Sequence, residues 1–345
     1  MRRTGYLEMS LFLILILMVA ELPGRAQATQ AAPKTQAEYN DYRAAYDEKD
    51  PAKKAELAEK YITTYKESDP AMIPSAYSLV ISGYVNSKNW AKVMDAADRI
   101  AALSTADNRT KAFANANAMM AAQNLNDINN ILKYGDAVLA ITPDDLNTLV
   151  MMSTVIPQKY PGNKAQLDKA ADLANKGLAG IQQMMTKAGP QEKPQLVQID
   201  GTLHGTLGLI AFDNKDYKKS VAEYQTAIKD NNKDDAAHFY LAYNYLQFMT
   251  DASKSYQSAI EAEKAAIAAK ADQPTMDELK AKTASFGDDV RSNRDKAIDE
   301  LAIATAIGGL VAPQAKEALT KQWTAKNDNT DGLNEFIAQK RASLQ

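Results

Sequence analysis

The 345-residue chain has no cysteine and only two histidines, His204 and His238. Without cysteine there is no disulfide, no thiolate-bound metal, no thiol nucleophile and no sulfur to carry a lipid. Two imidazoles 34 residues apart, with no third ligand in view, make a poor zinc cage, and they read as packing residues. An excess of one charge is missing as well: 40 Lys and Arg face 43 Asp and Glu, and no basic stripe could follow a phosphate backbone. This argues against DNA or RNA as a partner. Glycine-rich phosphate loops, nucleophile elbows and His-Glu-x-x-His metal helices do not occur. The closest approach to a metal motif is NDNTDG, but it opens on Asn327 and its closing acidic position holds Ala338, so it reads as a turn between helices with Asp331 as a cap. Paired carboxylates such as Asp234-Asp235 and Asp288-Asp289 are read as caps at helix starts. No catalytic residue, metal ligand or cofactor is expected.

What the chain does have is apolar content, 46% of its residues, enough to bury a large core or several small ones. Its N-terminus reads as an address. Arg2 and Arg3 precede the apolar run LFLILILMVA at residues 11–20, Glu21 ends the run, and Ala26 and Ala28 supply the small residues that a signal peptidase reads. Residues 1–28 are therefore expected to be a cleaved signal peptide and 29–34 a flexible start. Ten apolar residues are about half of the roughly 20 that span a bilayer, so no stable membrane insertion is expected after cleavage. The product would be exported, periplasmic or extracellular, with a net charge of −4 once Arg2, Arg3, Arg25, Glu8 and Glu21 are gone.

From residue 35 onward the apolar spacing is helical, with turn signals between periodic stretches and no sustained alternation. The class is all-α, and the short links argue for antiparallel helix pairs. Residues 201–234 form a 34-residue unit with His204, Leu207, Gly208, Ala211, Ser220, Tyr224, Ala227 and Asn232, and the next unit repeats it with His238, Leu241, Ala242 and Tyr245. This pattern resembles the tetratricopeptide repeat, in which two helices cross at small residues. The resemblance implies that Gly208 and Ser220 lie at the crossing and that Ala227 meets the next unit. Weaker copies cover 35–68 (Tyr42, Ala45, Ala58, Tyr61), 74–107 (Tyr77, Val80, Tyr84, Val93), 112–145 (Ala118, Met119, Ala122, Ile131) and 146–178 (Leu149, Met152, Ala170, Ala174). After Tyr245 the period breaks, with a separate partner helix expected from Ser253 to Lys270 and a linker with a short helix after it. The expected architecture is a right-handed helical-repeat solenoid over 35–285 and a helical cap over 286–345. Within that cap the apolar run 301–312, stopped by Gly308-Gly309, is expected to be a buried helix.

The resemblance further implies a concave groove lined by the first helix of each unit. It would hold Ser82, Val85 and Asn86, then Met120, Gln123 and Asn124, then Leu209 and Phe212, and finally Phe239, Tyr243 and Gln247. Apolar and amide side chains of this kind suit an extended or helical segment of a protein partner. The leading expectation is a non-enzymatic exported scaffold. The alternatives are an enzyme acting on an envelope glycan through a carboxylate site, and a structural spacer. As an alternative to an open groove, the long helix after Ser253 would fold back and cover Phe212, Phe239 and Tyr243.

Overall fold

Helix starts in this chain follow a simple rule of polar side chains. Thr35, Asp50, Asp107, Asp127, Asn163, Asp216, Asp234 and Asp272 each accept the backbone N–H three residues on, which satisfies a donor that has no partner inside the helix. Pro51, Pro194, Pro274 and Pro313 occupy first-turn positions, where no N–H is needed. The computed structural model describes residues 33–66 and 68–344, and every regular element among them is an α-helix. The expected signal peptide and residues 29–32 of the expected flexible start lie outside the described residues.

Two compact units divide after Lys159. The first contains α1 (Gln36–Asp47), α2 (Pro51–Thr64), α3 (Met72–Asn86), α4 (Trp90–Ala102), α5 (Asn108–Asn124), α6 (Ile128–Ile141) and α7 (Leu146–Lys159). Each helix packs on the next in chain order, and α3 also touches α5. The core is rich in alanine, with Ala45, Ala55, Ala58, Ala96, Ala97, Ala114, Ala118 and Ala122 fully buried beside Val80, Ile81, Val93, Ile100 and Ile131. Small side chains let the backbones come close. A Cβ on Gly83 would stand 2.6 Å from the Pro51 carbonyl oxygen and 2.8 Å from Ala55 Cβ, so only glycine fits where α3 crosses α2.

The second unit contains α8 (Lys164–Met185), α9 (Lys193–Asp213), α10 (Tyr217–Asp230), α11 (Asp235–Ala268), α12 (Gln273–Ile307), α13 (Ala312–Asn327) and α14 (Leu333–Ser343). From α8 to α13 neighbours in sequence again pack together, most extensively α11 with α12, and α14 packs on α12. The close crossing expected at Gly208 is present, since a Cβ there would lie 3.0 Å from the Tyr224 ring. Ser220 is more than a small residue. Its hydroxyl donates to the Gly208 carbonyl at 2.9 Å and accepts from Asn244 Nδ2 at 2.9 Å, so it pins α10 to both α9 and α11. Ala227, 1% exposed, packs with Ala237, Leu241 and Tyr245 of the following helix.

One turn recurs. Lys88, Asn126, Lys215 and Lys270 all have φ between 53° and 61°. In each case the next residue donates back to the carbonyl five positions earlier, at 2.8 to 3.0 Å, closing the links α3–α4, α5–α6, α9–α10 and α11–α12 alike. This is the helix-ending geometry usually given to glycine. Its recurrence makes the architecture repeat-like.

Several boundaries differ from expectation. There is no separate helix after Ser253 to fold back: α11 runs unbroken through Met249 and Ser253, because that stretch holds neither Gly nor Pro and Thr250 and Ser253 bond to their own helix at Leu246 O and Met249 O. The expected linker is part of α12, so the expected array–cap boundary at 285/286 falls inside that helix. Asp288 and Asp289 therefore lie exposed in mid-helix and cap nothing. Helix α9 begins eight residues before the expected unit start at Gly201, and Pro157 lies inside the last turn of α7. Asp331 is not a side-chain cap: Gly332, with φ 76°, takes the cap position of α14, and the Asp331 carbonyl accepts from Trp323 Nε1 at 3.1 Å.

Candidate functional site

The first unit carries the proposed-groove residues Ser82, Val85 and Asn86 near the end of α3 and Met120, Gln123 and Asn124 near the end of α5, two helices in contact. Val85 packs its side chain against the core, and Asn124 Nδ2 is turned back to Met120 O at 2.9 Å, while Asn86 is exposed. Ser82, Met120 and Gln123 are half-buried, and Asn124 is exposed.

The second unit is different, because its residues assemble into a connected row of rings. Phe212 at the end of α9 stands edge-on to Tyr217 at 5.6 Å, across the tight turn into α10, and edge-on to Tyr240 of α11 at 6.0 Å. Tyr217 meets Phe248 at 6.4 Å, and Tyr240 stacks flat on the buried Tyr224 at 5.7 Å. Phe239 and Tyr243 extend the row, 4.6 Å apart. Phe212, Tyr217, Tyr240, Tyr243 and Phe248 are all half-buried, presenting part of each ring at the surface. Leu209 and Leu246 fill in between as partly buried aliphatics, and Gln247 is half-buried beside them on α11. Edge-to-face packing fixes the rings, so the face is pre-formed.

Phe239 departs from the expected arrangement. It is 2% exposed, with its ring closed in by Tyr240 and Tyr243, and so belongs to the interior rather than to an open wall. Tyr217, Tyr240 and Phe248 enter the row without having been among the residues expected to line the groove. A signal for two of them was there: Tyr240, Asn244 and Phe248 recur every four residues, on one face of a helix that had been expected to end sooner.

Charged chemistry gathers elsewhere on the same unit. His204 of α9 lies with Nδ1 2.7 Å from Glu223 Oε2 of α10 and Nε2 3.5 Å from Asp200 Oδ2. Glu223, which accepts a hydrogen bond from the ring, raises the His204 pKa against the opposing effect of burial. Burial, with Asp230 alongside, raises the Asp200 carboxyl above its usual range, while the charge of His204 works the other way. His238 of α11 reaches Glu300 of α12 at 2.5 Å and the Asn232 carbonyl at 3.2 Å. Among the described residues, no group of three or more His, Asp or Glu is placed to hold a metal ion, and no helix is long and apolar enough to cross a membrane. A cavity of about 520 Å³ lies between the end of α12 and helices α13 and α14, with Lys316 and Arg341 at its exposed rim. No protein-family model matches this sequence, and no curated protein does.

Proposed function

We propose that the chain is an exported helical-repeat scaffold that binds a segment of another protein along the aromatic face of α9, α10 and α11. The observation that carries this reading is the row of half-buried rings, Phe212, Tyr217, Tyr240, Tyr243 and Phe248, held in fixed mutual geometry at the surface. Aromatic side chains offer large contact area at low entropic cost and dominate binding energy when a partner covers them. In this reading the helix pairs are antiparallel and wind as a right-handed solenoid of tetratricopeptide type. Gln247 supplies a polar contact on the same wall, and residues 1–28 are removed on export so that the product begins at Thr29. The recurring turn after the first helix of four pairs supports the repeat.

A photo-crosslinkable residue at Gln247 in the native compartment, followed by mass spectrometry, identifies the partner and gives the mature N-terminus of the same product. Phe212→Ala and Tyr243→Ala are expected to weaken capture by about 1 to 3 kcal/mol each. Phe239→Ala, in the interior, should lower the melting temperature instead. Capture that is indifferent to both surface changes would remove the aromatic face from the function.

A second reading, an enzyme acting on an envelope glycan, draws on Asp200 and Asp230, a carboxylate pair in which burial and mutual repulsion raise Asp200. General acid chemistry needs such a group. Glycan turnover abolished by Asp200→Asn but untouched by Phe212→Ala would favour the enzyme. A chain that crosslinks to nothing and turns over nothing would be a spacer.

A further inference from the structure

We propose that the cleft between α13 and α14 is a binding site for a small organic carboxylate, its head group held between Lys316 and Arg341 and its hydrocarbon part laid along the cleft floor. The cleft has a plain structural origin. Helices α13 and α14 each lean on α12 and scarcely touch one another. Near the turn that joins them they are pinned together, by Trp323 against Phe336 with ring centroids 5.1 Å apart and by the bond from Trp323 Nε1 to the Asp331 carbonyl. At the opposite end the start of α13 and the later turns of α14 stand apart and leave a cavity of about 520 Å³. Pockets of this size take small molecules.

Helical spacing decides what faces the cavity. Ala312, Pro313 and Lys316 form one stripe of α13, and Asn334, Ile337, Ala338 and Arg341 form one stripe of α14. Gly308 and Gly309, at the end of α12, add no side chain, which keeps the space open. The interior is apolar, with Ile337 only 7% exposed. The Thr305 hydroxyl is already given to the Leu301 carbonyl at 2.7 Å, so it donates nothing to a ligand. Such a floor suits hydrocarbon.

The rim is cationic from both walls. Lys326 and Lys340, on the same two helices, pair with Asp295 and Asp299 of α12. Among the described residues, Lys316 and Arg341 have no such partner, and no carboxylate lines the cleft. Asp235, which lies against Gly309, is engaged by the Val311 N–H at 3.1 Å. Arg341 donates from Nε to the Ala306 carbonyl at 3.2 Å, which anchors the guanidinium and leaves its two terminal amino groups to grip the paired oxygens of a carboxylate. Like charges on opposite walls repel, and an anion set between them relieves both.

The site shares no residue with the aromatic face of α9–α11, so its test needs no protein partner. The full chain is titrated with octanoate while its backbone amides are followed by NMR, and shifts are expected at Thr305, Gly308, Gly309 and Ala338. Acetate, which lacks the tail, and 1-octanol, which lacks the charge, should each bind about tenfold more weakly or less tightly still. The double variant Lys316→Gln, Arg341→Gln changes two exposed side chains; it should keep the melting temperature and lose octanoate affinity by a similar factor. Octanoate that moves none of these amides, that is matched by 1-octanol or by inorganic phosphate, or that binds the double variant as it binds the parent would overturn the proposal. Should the double variant fail to fold, Ala338→Phe, which fills the cleft and leaves both cations in place, decides the matter: it should exclude octanoate, and undiminished binding would overturn the site.

Discussion

Glu38 carries its charge in a nearly closed site, 2% exposed, at the start of α1. Burial opposes that charge, yet donors from the Ser68 hydroxyl, the Lys34 N–H and the Tyr61 hydroxyl outweigh it, and the carboxyl is held below its usual range. Tyr61 is pushed the other way, to about 12, by burial above all. A depressed carboxyl adds stability above its ordinary value of 4.5, and that stability is lost as pH falls through the lower folded-state value. Glu38→Gln is therefore expected to lower the melting temperature at neutral pH and to flatten its decline toward acid; an unchanged acid limb in the variant would show that Glu38 stays protonated in the fold. The sequence pattern finds Tyr42, Ala45, Ala58 and Tyr61 as interior positions of this first helix pair, because apolar spacing marks them. It is blind to Glu38, two of whose three donors lie 23 and 30 residues away and leave no periodic trace. Ser220 is a similar case: its small size is legible, but its bond to Asn244 of the next helix is not.

Helices α11 and α12 look at first like a break in the pattern, and the contacts of their near ends say otherwise. Glu223 follows His204 by 19 residues, whereas Glu300 follows His238 by 62, so 43 residues separate the two arrangements. With that offset Ser220, Tyr224 and Ala227 correspond to Ala297, Leu301 and Ala304, and all six are buried. The apolar run at 301–307 is thus the counterpart of α10, and the extra length belongs to the far ends of both helices. Of residues 251–293 only Ala259 and Gly287 are buried. Deleting 251–293, with Met249→Gly and Thr250→Asp to supply the left-handed and cap positions of the recurring turn, is expected to leave a chain that still unfolds cooperatively within a few degrees of the parent. Calorimetry that shows no cooperative transition would mean that the distal ends are part of the core. Caps and prolines mark many of the helix starts, Asp272 and Pro274 among them, although the long helix they open was expected to be a linker with a short helix. The continuation of α11 past Tyr245 was not readable, because polar residues that usually mark a loop are satisfied there by their own helix.

The chain distributes its stability over two compact units, each with its own buried cluster. Gly83 in the first and Ala227 in the second share no cluster and no hydrogen-bond partner. Gly83→Ala, which drives a methyl into the Pro51 carbonyl, and Ala227→Leu, which overfills the junction of α10 with α11, should each cost about 1 to 3 kcal/mol. Hydrogen exchange read by mass spectrometry is expected to loosen α2–α4 in the first variant and α9–α11 in the second. Uniform loosening of all helices by either change would argue for a single cooperative body. Composition and helical spacing were enough to establish an all-α chain, since packing of amphipathic helices imposes those patterns locally. The repeat resemblance implied small residues at the helix crossings and put Phe212 and Tyr243 on the first helices of adjacent units, α9 and α11, which meet. The burial of Phe239, the entry of Tyr217, Tyr240 and Phe248 into one row, and the pairing of each histidine with a glutamate came from folding, because these depend on which helices lie side by side across gaps of 19 to 62 residues, and no pattern within a single helix records its neighbour.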